Sequence, residues 1–142
     1  GEALMNEAVQ KRGSVETAYF SVTGTDDEVV PFVNENNWRT NAFFCAWTAY
    51  QTMNGMEVSS RPDFSKDATF GMALKDREVI STNKRVTMKA GVLYKGDIPL
   101  IKVVAVNDYG HWNFKPDARL MWDFMKQFSR DPRTKKLVYG KR

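Results

Sequence analysis

The chain is poor in the residues that build disulfides and metal centres, with one cysteine, Cys45, and one histidine, His111, in 142 residues. A single cysteine excludes an internal disulfide, and beside a single histidine it excludes a Cys/His zinc site. No metal and no cofactor is therefore expected. No apolar run approaches the roughly 20 residues that a membrane-spanning helix needs, and the first residues lack the pattern of a signal peptide. Internal repeats and low-complexity tracts are missing as well. Neither sign of charge dominates: 21 Lys and Arg stand against 17 Asp and Glu, a formal +4. Six of the basic residues (Arg130, Arg133, Lys135, Lys136, Lys141 and Arg142) follow the last predicted helix. Without interleaved aromatic residues they read as a solvated end, and no nucleic-acid partner is expected.

What remains is apolar and aromatic material, 42% and 13% of the chain, which is enough for the core of one globular domain at this length. Its densest stretch is Ile98 to Val106, IPLIKVVAV, a near-continuous β-branched run of the kind that is buried on both faces of a sheet. Turn-forming residues Asn107, Asp108, Tyr109 and Gly110 follow it. They lift the chain off the strand, so His111 is expected on a loop at the strand's carboxyl edge, where open α/β sheets place their chemistry. A histidine there is either a general base or a loop residue bonded to a carbonyl.

Taken from the start, residues 2–12 predict a helix with Leu4, Met5, Ala8 and Val9 on one side and Gly13 as its stop. Glu16 to Thr23 predicts a strand that breaks at an acidic turn, Gly24 to Glu28. Asn34 to Met53 predicts a long helix capped within Asn34 to Asn37, with Phe43, Phe44, Trp47 and Tyr50 on a core-facing side that also takes in Cys45 and Met53. From Met56 to Lys84 loops are expected, with short strands near Ala68 to Leu74 and Glu78 to Ser81. Val86 to Tyr94 and the strand from Ile98, joined by Lys95-Gly96-Asp97, read as an antiparallel β-hairpin. Behind Pro116, residues Ala118 to Ser129 carry apolar side chains at helical spacing, and Arg130-Asp131-Pro132 should end that helix.

Two chemistry-bearing turns thus follow two strands, an aspartate first and a histidine later. In a Ser-His-Asp hydrolase of the α/β type the chain order is Ser, then Asp, then His. At these residues the sequence resembles the α/β-hydrolase family. Thr23-Gly24-Thr25-Asp26-Asp27-Glu28-Val29-Val30-Pro31 is similar to the family's His-Gly-x-x-Asp-x-Val-Val-Pro signature, which puts the triad acid at Asp27, not Asp26. Tyr109-Gly110-His111-Trp112 with Pro116 to Phe128 resembles the Gly-His turn and last helix of the secreted esterase branch, which includes feruloyl and acetylxylan esterases and poly(3-hydroxybutyrate) depolymerases. Thr23 departs from the family's histidine. The likeness is strong at residues 16–55 and 98–132 and poor between them.

The resemblance implies an α/β fold, the C-terminal part of an α/β-hydrolase sheet with flanking helices and a β-hairpin. It implies Asp27 and His111 as catalytic residues, and Trp112 and Phe114 as substrate-binding residues near the leaving group, with packing an equal alternative for these two. The substrate would be a carboxylic ester carried on plant polysaccharide, and the parent protein would be secreted or periplasmic.

The nucleophile is missing from this picture. Its sharp turn needs two glycines four apart around a serine, and the glycines at 1, 13, 24, 55, 71, 91, 96, 110 and 140 contain no such pair. Cys45 lies on an apolar helix face, where a thiol is inert. With Gly1 ahead of Glu2 read as a boundary, the chain is expected to be the C-terminal part of a larger hydrolase domain, inactive alone, and to form homo-oligomers through surfaces its missing half would cover. A self-contained α+β small-ligand-binding domain is the alternative.

Overall fold

The computed structural model describes residues 2–82 and 85–140. Gly1, the Lys84 end of the polar excursion, and Lys141 and Arg142 of the basic tail lie outside the described residues. Helix α1 (Glu2–Arg12) stops at Gly13, whose N–H donates back to the Val9 carbonyl at 2.8 Å. It lies against helix α2, with Met5 and Val9 half-buried, whereas Leu4, expected on the same face, is 72% exposed.

Strand β1 (Tyr19–Gly24) begins three residues later than predicted. Helix α2 (Ala42–Met53) is shorter than expected, because the backbone is extended at Asn41 (φ −67°, ψ 125°) and the helix begins only after it. Asn34 accepts from the N–H groups of Asn36 and Asn37, Asn37 accepts from that of Asn34, and residues 35–40 close into turns. The cap is Asn41 instead, accepting from the Phe43 and Phe44 amides at 3.1 and 3.0 Å while its Nδ2 donates to the Pro31 carbonyl.

Strand β2 (Lys75–Ser81) covers the second predicted short strand. The first, Ala68 to Leu74, does not form. There the Asp67 carboxylate accepts from the Thr69 and Phe70 amides at 3.0 and 2.6 Å and bends the chain into a turn. Strands β3 (Thr87–Lys95) and β4 (Ile98–Val106) form the expected antiparallel hairpin.

Helix α3 (Asp117–Met125) ends four residues before Ser129. Phe128–Arg130 is strand β5, paired antiparallel with β6 (Leu137–Tyr139). The basic end is therefore a hairpin and not a loose tail, its turn held by the Asp131 carboxylate, which accepts from the Arg133 and Thr134 amides.

The main sheet has the order β1-β4-β3-β2, with β1 and β4 parallel and the other pairs antiparallel. Strand β4 is covered on both faces. Ile101, Val103 and Ala105 join a core with Phe44 and Trp47 of α2, whereas Val104 and Val106 meet Met88 and Phe114, with Leu120 of α3 against them. The architecture is broadly α/β, a four-stranded mixed sheet between helices plus a two-stranded sheet. The fully buried Trp47 keeps its indole N–H satisfied by donating to Ser21 Oγ at 3.0 Å, which pins α2 onto β1. Among the described residues no helix is long and apolar enough to cross a membrane.

Candidate functional site

Parallel neighbours end at the same edge of a sheet, and the register Gly24↔Val106 puts the loops after β1 and β4 side by side. They are bonded to each other. Thr25 N–H donates to the Val106 carbonyl at 3.0 Å and Asp26 N–H to the Tyr109 carbonyl at 3.1 Å, while Asp108 N–H donates to Thr25 Oγ1 at 2.8 Å. Gly24 makes this approach possible, since a Cβ there would sit 1.9 Å from the Tyr109 carbonyl oxygen.

Asp27 is 8% exposed, and each carboxylate oxygen has a distinct role. Oδ1 accepts from the amides of Val29 and Val30 at 2.9 and 2.8 Å, which fixes the carboxylate plane. Oδ2 lies 2.8 Å from His111 Nδ1, although 84 positions separate the two residues. Burial pushes the Asp27 carboxyl up, but the hydrogen bonds from the Val30 amide, the His111 ring and the Val29 amide outweigh it and hold the group below the usual carboxylate range. Asp27 is thus an ion that only accepts. Chemistry then assigns the proton of this contact to His111 Nδ1, leaving the lone pair on Nε2, which has no hydrogen-bond partner among the described residues.

The pair opens into a cleft of about 430 Å³ between the two loops, walled by Phe43, Thr23, Trp112 and Asn113. The His111 side chain is 55% exposed there and Trp112 84%. Phe114 is not a wall of the cleft. It is 8% exposed and packs edge-on against Tyr109, under the loop that carries His111, so of its two readings packing is the one the structure assigns.

Phe43, in the first turn of α2, packs half-buried against the core as expected and also lines the cleft. Thr25 and Tyr109, which tie the loops together, carry no signal in the sequence beyond their place in turns. The described cleft walls include no serine and no cysteine, and the hydroxyl of Thr23 is buried, 3.5 Å from the Gly24 carbonyl. Among the described residues no three His, Cys, Asp or Glu side chains converge as a metal site.

Chemically the arrangement is an oriented imidazole. An anchored carboxylate fixes its tautomer and would stabilise its charged form, while the free nitrogen can take a proton from a group brought to the cleft. Comparison of the chain with protein-family models, with curated proteins and with solved structures found no match.

Proposed function

We propose that this chain carries the acid and the base of a Ser-His-Asp carboxylic-ester hydrolase, with the serine and the oxyanion donors supplied by polypeptide outside it. The single observation that supports this reading is the 2.8 Å contact between Asp27 Oδ2 and His111 Nδ1 at the shared end of two parallel strands. His111 Nε2 takes the proton of the incoming serine hydroxyl as it attacks the ester carbonyl, and later returns it to the leaving alkoxide. Asp27 stays ionised throughout and stabilises the imidazolium. Trp112, exposed beside the histidine, offers a flat face for the leaving group, in keeping with an ester carried on a polysaccharide.

The test has two arms. The chain alone should hydrolyse p-nitrophenyl acetate no faster than free imidazole does, because an Asp-His pair without a nucleophile forms no acyl-enzyme. In the longer polypeptide that includes the serine, His111→Ala should remove nearly all turnover, and Asp27→Asn should cost on the order of ten thousandfold by admitting the wrong tautomer. Folded variants that hydrolyse esters at the parent rate would overturn the proposal and favour the binding-domain alternative.

A further inference from the structure

A second cleft lies at the other end of the sheet. Its volume is about 510 Å³, and three separated stretches meet in it: the segment before β1, the turn between β3 and β4, and the β5–β6 hairpin. Strand β4 runs its nine residues between the two ends, from beside Lys95 to the loop of His111, so roughly 25 Å separate this cleft from the Asp27–His111 pair.

The walls hold four cations, Lys95, Arg130, Lys135 and Lys136, and one carboxylate, Glu16, a formal balance of 4 − 1 = +3. The framework is fixed by its own hydrogen bonds. Arg130 donates to the carbonyls of Lys135 and Glu16 and to Thr17 Oγ1, each at 2.9 Å, joining the hairpin to the start of β1. Lys95 Nζ pairs with Glu16 at 3.0 Å, which takes up the local negative charge. Lys135 is held in the left-handed region at φ 60, and its N–H donates to the Asp131 carbonyl at 2.9 Å. The Asp131 carboxylate, the nearest other anion in the hairpin, is occupied by the Arg133 and Thr134 amides. One ammonium, that of Lys135, bonds to the Pro132 carbonyl and keeps two donors to spare. Among the described residues the Lys136 side chain makes no hydrogen bond or ion pair. Like charges gathered this closely repel one another, and a ligand of the opposite sign relieves that repulsion.

We propose that this cleft binds an oligoanion, a ligand with two or more neighbouring phosphate or carboxylate groups. A single anionic group would leave most of the positive charge uncompensated, and the volume suits a ligand the size of a short oligosaccharide or a polyphosphate. The site is independent of the chemistry proposed for Asp27 and His111.

Isothermal titration calorimetry of the whole chain with tripolyphosphate and, separately, with tetragalacturonate tests this and identifies the anion type. At least one of the two should bind at one site in low salt and weaken as salt is raised. In Lys135→Asn/Lys136→Ala, where asparagine tolerates the left-handed backbone at 135, the affinity should fall at least tenfold. The control Lys89→Ala/Lys115→Ala removes the same charge from exposed positions elsewhere and should change affinity less than twofold. Absence of binding by both probes, or equal weakening in the control, overturns the proposal.

Discussion

Burying the Asp27 carboxylate strips it of water, and the Val30 and Val29 amides with the His111 ring stand in for what is lost. Because the folded group ionises below the ordinary 3.8 of an aspartate, the folded state binds its proton less readily than the unfolded chain does. Its contribution to stability is therefore complete above that value and is lost as pH falls through the lower, folded one. Urea unfolding of the parent and of Asp27→Asn should show the parent more stable at pH 7, with the gap closing only below about pH 3.8; a gap of constant size down to pH 2 would mean that ionisation of Asp27 plays no part. Asp27, and not Asp26, is the carboxylate that meets His111, and only the resemblance separated the two in the sequence. The burial of Phe114 was not, because two positions along a loop from Trp112 the chain has already turned inward, and loop direction leaves no periodic trace in a sequence.

At the scale of elements, β-branched and aromatic runs together with turn chemistry made β1, β3, β4 and the hairpin between the last two readable. Two errors have local causes. The start of α2 moved because the backbone is extended at Asn41, which caps the helix in place of Asn34 to Asn37, and the expected strand at Ala68 to Leu74 failed where the Asp67 carboxylate captured the Thr69 and Phe70 amides. Asn41→Ala removes the actual cap of α2 together with its bond to Pro31, and should destabilise the fold by about 1–2 kcal/mol. Asn36→Ala, at an exposed turn position, should cost less than about 0.5 kcal/mol. Denaturant midpoints of the two variants decide where the helix begins, and equal losses would argue for the longer helix. The overrun of α3 past Met125 has a different origin. Phe128 fits the helical spacing of its predecessors, but it is held in the small sheet, with its ring edge-on to Phe124 of α3 and tilted against Tyr139 of β6.

For the whole molecule, the sequence indicated an α/β sheet but not how many of its strands run parallel. Only β1 and β4 do, and β1 lies at an edge with β4 as its one sheet neighbour among the described residues. Unpaired strand edges seek partners, so sedimentation equilibrium of the chain should show dimers or larger species; a clean monomer at high concentration would show that the edge is shielded. The same parallel pair has a bearing on how the molecule comes into being. Tyr19 lies opposite Ile101, so a loop of 101 − 19 = 82 positions must close before β1 gains anything from β4, whereas the β3–β4 hairpin closes across a single short turn. Local order comes cheaply and the distant pairing comes late. Asp27 and His111 hang from the ends of those two strands, so their contact, and with it the orientation of the imidazole, requires that distant pairing to have closed.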